Sequence, residues 1–211
     1  MNGTRIKICG LTRKQDIEYV NEVLPDFIGF VFAKSRRQIG AETAAELKNI
    51  LDARIKSAGV FVNEDIPFIV SLCSSGIVDY IQLHGDESNQ YIEALKEALC
   101  KADCQKPIIK AIRVKDADSL AVMQKLDSDF FLLDTYSDEG YGGTGKSFDW
   151  SLTHNISRPF FLAGGLNLEN AAEAITGARP YCLDVSSGVE TGGYKDRNKI
   201  IKLVELIRSV K

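Results

Sequence analysis

Short apolar runs in this chain end, again and again, on residues that can do chemistry. The residue at or just past each run is Cys9-Gly10, the Lys34 to Arg37 cluster, Asn63, Gln82 with His84, Arg113, Asp134, Gly164-Gly165, or Asp184 with Ser186 to Gly188. A thiol and a carboxylate are a candidate base and acid. An arginine offers a planar cationic fork for a carboxylate or phosphate. The Gly-bearing segments at Gly164-Gly165 and Ser186 to Gly188 let backbone N–H groups approach an anion. A phosphorylated small molecule follows as the ligand class. Two histidines, His84 and His154, and five cysteines without CxxC spacing leave little material for a zinc cage.

Each residue also has a plainer reading. Position alone leaves Cys9 open between a base and a small buried hydrophobe. Asp134 ends the run Phe130 to Leu133, where a carboxylate is expensive to bury unless it is used or paired, and this favours function. His84 either lines a pocket or orients a loop by hydrogen bonding. Cys73, Cys100 and Cys104 fall in or beside helical segments and read as structural.

The elements that position these residues are eight candidate strands: Arg5 to Cys9, Phe27 to Phe32, Ser57 to Val62, Tyr80 to His84, Ile108 to Ile112, Phe130 to Asp134, Phe160 to Ala163 and Leu183 to Ser186. They read as near-continuous apolar runs, as expected of parallel strands covered on both faces. Helical periodicity fills the gaps between them. One stripe is Ile17, Val20 and Leu24 behind a Thr12/Gln15 capping box; others follow Asn63 and Asp86. After Asp134 comes a Gly-rich loop, and only Phe148 to Ile156 remains before Pro159 for a short or irregular sixth helix. This alternation predicts a (β/α)₈ barrel, a single domain over residues 1–211, with function at the C-terminal ends of the strands. No GxGxxG follows the first strand, which argues against a dinucleotide fold.

The chain has 211 residues, 45% of them apolar, a size at which such barrels run as one unit. Twenty-six Lys and Arg against 29 Asp and Glu leave a net charge of -3. That balance offers no general attraction to nucleic acid or to an anionic membrane, so neither is expected as a partner. An odd cysteine count, no apolar run of membrane length and an N-terminus that enters a strand at once predict a reduced, cytoplasmic protein. Apolar outer helix faces suit a monomer or a homodimer equally.

One motif is a decoy. Gly140 to Ser147 fits GxxxxGK[ST], but a P-loop joins a strand directly to a long helix, whereas here five polar residues precede the motif and a Pro-limited stretch follows it. A mobile lid over Asp134, with Gly142, Gly143 and Gly145 supplying backbone freedom and Lys146 riding on it, is the expectation.

Seven segments, in order and each at a strand end, resemble the phosphoribosylanthranilate isomerase family of tryptophan biosynthesis. They are Lys7-Ile-Cys9-Gly10-Leu-Thr12, Gly29-Phe-Val-Phe32 with Lys34-Ser-Arg-Arg37, Gly59-Val-Phe-Val-Asn63, Gln82-Leu-His84-Gly85, Leu133-Asp134 with Gly142 to Trp150, Leu162 to Asn167, and Asp184 to Glu190. The resemblance implies an Amadori rearrangement of an N-phosphoribosyl arylamine to an aminoketose, without cofactor or metal. It implies Asp134 as the acid and Cys9 as the base. Arg37 would pair with the anthranilate carboxylate, Gly164, Gly165, Ser186 and Ser187 would hold the phosphate, and Gln82, His84 and Asp184 would line the pocket. The family often has Pro where this chain has Arg36, which makes Arg36 the alternative clamp. The rival readings are another phosphosugar barrel, such as indole-glycerol-phosphate synthase or a histidine-pathway isomerase, and a nucleotide-binding module resting on the P-loop-like segment alone. The former synthase family carries a catalytic lysine where this chain has Cys9.

Overall fold

The computed structural model describes residues 3–135 and 149–210. The P-loop-like segment and the expected lid, Lys146 included, lie outside the described residues. Eight parallel strands, β1 (Arg5–Cys9), β2 (Phe27–Val31), β3 (Lys56–Phe61), β4 (Tyr80–Leu83), β5 (Ile108–Val114), β6 (Phe130–Thr135), β7 (Phe160–Leu162) and β8 (Cys182–Val185), follow one another around a sheet. It closes because β1 pairs with both β2 and β8. The expected (β/α)₈ barrel is the observed architecture.

Outside the sheet lie α1 (Lys14–Val23), α2 (Ala41–Asn49), α3 (Ile66–Ser74), α4 (Asn89–Lys101), α5 (Ala117–Ala121), α6 (Ala171–Ala178) and α7 (Arg197–Ser209). The fifth is a five-residue helix that continues as a 3₁₀ turn, Val122–Lys125. In the sixth position, among the described residues, stands a 3₁₀ turn, Trp150–Thr153, the short element that the Pro-limited stretch leaves room for.

The helix starts differ from the expected ones. At α1 the cap is not Thr12 with Gln15. Asp16 instead reaches back one turn, its Oδ2 accepting from the N–H groups of Thr12 at 2.9 Å and Arg13 at 3.1 Å. At α4 it is Ser88, not Asp86, that accepts from Tyr91 N–H. At α3 the helix begins after Asp65, with Pro67 in its first turn, where a missing N–H does no harm. After β8 the chain forms an element absent from the sequence reading, an antiparallel hairpin of β9 (Glu190–Thr191) and β10 (Tyr194–Lys195). Its two-residue turn is Gly192-Gly193, both at positive φ, the signature of a tight hairpin.

Two apolar clusters divide the core. The larger, including Ile6, Ile8, Ile28, Leu83 and Leu183, lies between sheet and helices. The smaller, Phe27, Ile109, Ala111, Leu132, Phe161, Ala163 and Cys182, is a separate cluster built from the intervening strand residues, with Tyr80, Phe130 and Tyr181 packed against it. Because side chains alternate along a strand, these two sets are the outer and inner faces of one sheet. All seven residues of the smaller set are buried, so the inner cluster is a solid plug and not a pore. Two residues beyond Tyr80, Leu132 and Cys182 the inward positions become Gln82, Asp134 and Asp184, and Lys7 of β1 meets Gln82 and Asp184 at the same level. Polar chemistry therefore rests on an apolar floor.

Candidate active site

Above that floor a cavity of about 450 Å³ opens at the C-terminal end of the barrel. Its walls hold Cys9, Arg37, Gln82, His84, Asp134 and Asp184, and also the segments Gly164-Gly165 and Ser186-Ser187. All ten residues that the family resemblance assigns to the site thus meet in one place. Arg113 and Asn63 are not among the walls. Arg113 Nη2 pairs with Asp86 at 2.7 Å, and Asn63 Oδ1 accepts from Asp86 N–H.

Cys9 ends β1 beside Gly29 of β2, its partner in the parallel register. A Cβ on Gly29 would lie 2.5 Å from Cys9 Sγ, so the glycine makes the space that the thiol occupies. The Cys9 carbonyl is held by Ser186 Oγ–H at 3.0 Å. Burial pushes the Cys9 thiol above the ordinary thiol range; Lys7 and Lys195 pull it down without overcoming that effect, and Asp184 adds to the rise.

Lys7, which sequence reading did not single out, is fully buried. Its ammonium donates to Gln82 Oε1 and to Asp184 Oδ2, both at 2.7 Å. Burial works against the charge on Lys7, but Asp184 and then Cys9 outweigh it and hold the ammonium well above the usual lysine range. Asp184 keeps its second oxygen, Oδ1, buried and without a hydrogen-bond partner among the described residues. A buried carboxylate oxygen left open at a cavity wall is an acceptor waiting for a hydroxyl.

Asp134, 6% exposed, closes β6 opposite Gly164. Gly164 sits at φ +90, and a Cβ there would stand 2.8 Å from Asp134 Oδ1 and 2.7 Å from Thr135 N. The turn after β7 therefore needs glycine twice over, for its handedness and for the approach of the Asp134 carboxyl. His84 Nε2 lies 3.3 Å from Asp134 Oδ2, and His84 Nδ1 lies 2.9 Å from Gln82 Nε2.

Arg37 is not a free fork. Its Nε meets Glu190 Oε1 at 2.7 Å and its Nη2 meets Glu190 Oε2 at 2.9 Å. Arg36 Nη2 and Lys195 Nζ also reach Glu190 at 2.7 Å, so one carboxylate anchors three cations. Burial works against the charged form of Glu190, yet Arg37 and Lys195 outweigh it and hold the carboxyl below its ordinary range. Arg36 is 59% exposed and is not part of the cavity wall, while Arg37 is 18% exposed and is. Glu190 and Lys195 come from the hairpin that sequence reading missed. Their signal was the Glu-Thr-Gly-Gly-Tyr-Lys pattern, two short segments around a Gly-Gly turn.

The anion end of the cavity follows β7 and β8. The backbone N–H groups of Gly164, Gly165 and Ser187 have no acceptor among the described residues. Ser186 differs: its hydroxyl is engaged with Cys9, and Lys195 donates to its carbonyl at 3.0 Å.

A family model described as N-(5'-phosphoribosyl)anthranilate (PRA) isomerase matches residues 6–206. The N-(5'-phosphoribosyl)anthranilate isomerase of Endomicrobium trichonymphae is 50% identical over 206 residues, which cover 98% of this chain and 99% of that protein. The crystal structure of phosphoribosyl anthranilate isomerase from Thermotoga maritima superposes with a TM-score of 0.85 at 35% identity, over 97% of this chain and 98% of that one. A structure of the isomerase in complex with reduced 1-(o-carboxyphenylamino)-1-deoxyribulose 5-phosphate does so with a TM-score of 0.81 at 33% identity, covering 97% and 98%. A barrel whose strand ends assemble a thiol, a carboxylate and an arginine around one cavity, matched over nearly its whole length, belongs to the N-(5'-phosphoribosyl)anthranilate isomerase family.

Proposed function

We infer that the protein isomerises N-(5-phosphoribosyl)anthranilate to 1-(2-carboxyphenylamino)-1-deoxyribulose 5-phosphate, a step of tryptophan biosynthesis. The observation that carries the residue assignments is the meeting of Cys9, Asp134 and Arg37 on one cavity wall set, at the ends of β1 and β6 and after β2.

The reaction opens a furanose ring and then moves a proton. Asp134 gives a proton to the ring oxygen as the bond from that oxygen to the anomeric carbon breaks, and the nitrogen lone pair completes an iminium. Cys9, as thiolate, removes the proton on sugar C2; the electron pair left behind forms the enolamine, which tautomerises to the ketone. Lys7 and Lys195 lie near enough to Cys9 to favour its anion. Asp184 Oδ1 accepts from a sugar hydroxyl. The substrate phosphate lies on the open N–H groups of Gly164, Gly165 and Ser187, with the Ser186 segment shaping the wall. Arg37, gripped by Glu190 on one edge, presents Nη1 to the anthranilate carboxylate. No step calls for a cofactor or metal.

Every wall of the cavity comes from one chain, so a monomer and a homodimer serve the chemistry equally. No helix of the described residues is long and apolar enough to cross a membrane, and five free thiols suit a reducing, cytoplasmic setting. The test is a fluorescence assay on the purified protein, following loss of the anthranilate signal as substrate is consumed, with and without EDTA. Turnover unchanged by EDTA is expected. No turnover of this substrate overturns the assignment, and activity lost to EDTA and restored by a divalent ion overturns the metal-free mechanism.

A further inference from the structure

A directed line of polar groups runs from Lys7, beneath the cavity, into the cavity wall, and its polarity can be read atom by atom. Lys7 Nζ stands 2.7 Å from both Asp184 Oδ2 and Gln82 Oε1. An ammonium has donors only, so the Gln82 atom that faces it must be the carbonyl oxygen. The amide NH₂ of Gln82 is thereby turned to His84 Nδ1, 2.9 Å away. A ring nitrogen that receives an N–H must offer a lone pair, so the ring hydrogen sits on Nε2. Nε2 in turn lies 3.3 Å from Asp134 Oδ2. Gln82 is 2% exposed and both ends of its amide are committed, the oxygen to Lys7 and the nitrogen to His84, so although it lines the cavity it is set to act on His84.

We propose that Gln82 is a positioning residue: anchored by Lys7, it fixes His84 as a neutral Nε2–H donor aimed at Asp134. Negative charge that arrives on Asp134 when its proton leaves for the substrate is then met by a dipole already in place, without reorganisation. The proposal rests on the reading of Asp134 as the acid.

The experiment is ¹⁵N NMR of the imidazole nitrogens combined with steady-state kinetics. The chain has two histidines, and His154, whose Nε2 meets Gly177 O at 2.9 Å, serves as internal control. Wild-type His84 should show its hydrogen on Nε2. Gln82→Glu keeps an acceptor for Lys7 but replaces the donor facing Nδ1, so the ring should gain a hydrogen on Nδ1. Turnover should fall at least about tenfold with KM changed by less than about threefold, the pattern of a group acting in the transition state. Gln82→Met, which removes both contacts, should give a mixture of tautomers and the same kinetic direction. A wild-type ring protonated on Nδ1 overturns the proposal. So does a Gln82→Glu or Gln82→Met protein that keeps wild-type kcat, or one in which only KM changes. The tautomer is read without turnover, so full activity in Asp134→Asn would sink the acid assignment separately, with the Nε2–H signal intact.

Discussion

Glu190 grips Arg37 along one edge, through Nε at 2.7 Å and Nη2 at 2.9 Å, while Arg37 itself lines the cavity. This side-on pairing, through Nε and Nη2, fixes the guanidinium plane of a residue that lines the cavity before any substrate arrives. A charge-assisted contact to the substrate carboxylate is worth about 1.5 to 3 kcal/mol, so Arg37→Ala should raise KM by roughly ten- to a hundredfold. Arg36, largely exposed, should contribute little, and Arg36→Ala should leave KM nearly unchanged. Glu190→Gln keeps the shape but weakens the grip, so its KM should lie between the two. The reverse ranking of the arginines in steady-state kinetics would move the carboxylate clamp to Arg36.

If Cys9 and Asp134 exchange protons with the substrate, each acts mainly in a transition state. Acid and base groups of this kind contribute about 10²- to 10⁴-fold, so Cys9→Ala and Asp134→Asn should each lose at least two orders of magnitude in kcat with modest change in KM. Cys9→Ser should be nearly as poor, because a hydroxyl supplies almost no anion near neutral pH. A folded Cys9→Ala protein that keeps a tenth or more of wild-type kcat would return Cys9 to the status of a buried hydrophobe.

The raised thiol of Cys9 fixes a sign. Its neutral form is favoured in the folded protein, and the base form accumulates as pH rises, so kcat/KM should climb through the ordinary thiol range and beyond it. Stability runs the other way. A buried thiol that holds its proton more tightly when folded contributes stability that is present below the ordinary thiol range and lost as pH rises through the folded value. Cys73, pushed up to about 12 by burial, adds to the same alkaline loss. Alkylation should follow the kinetic limb. Cys100 is exposed and reacts first, so the measurement belongs in a Cys100→Ser background, where iodoacetamide should inactivate faster at higher pH and a reduced product analogue should protect. Inactivation that ignores both pH and analogue would separate the reactive thiol from the site.

The barrel and its mouth were legible because both rest on local patterns: apolar runs at even spacing, each ending on a reactive residue. What escaped reading shows why. In Arg5-Ile-Lys7-Ile-Cys9 and Tyr80-Ile-Gln82-Leu-His84 the residues alternate, although the strands read as continuous apolar runs. That alternation put Lys7 inside the barrel, where its charge is tolerable only because Asp184, 177 residues away, meets it. Lysine in a strand ordinarily reads as solvated, and no local signal names a partner so remote. Glu190 escaped for the same reason, its grip on Arg37 spanning 153 residues. Helix starts were misplaced by a few residues, since Asp16 and Ser88 compete for the cap with equally suitable neighbours and only the surrounding fold decides between them.

Gly29 offers a test of how finely the thiol is placed. It lies on β2 in register with Cys9, and a methyl group there would fall 2.5 Å from Cys9 Sγ and 3.2 Å from Cys9 Cβ. One of the two must move. The sulfur is the atom free to rotate, so Gly29→Ala should turn the thiol away from the substrate while the backbone of β2 stays in the sheet. Overpacking of this kind costs about 1 to 3 kcal/mol of stability, and a misplacement of about 1 Å in a catalytic group costs up to a hundredfold in rate. Gly29→Ala should therefore lower kcat strongly at nearly constant KM. In a Cys9→Ala background the crowding sulfur is gone. The same substitution should then change kcat hardly at all and cost less stability, giving a double-mutant cycle with a large coupling in both quantities. Equal effects of Gly29→Ala with and without the thiol would mean that the glycine serves the strand alone, and that the space beside Cys9 is incidental to the position of its sulfur.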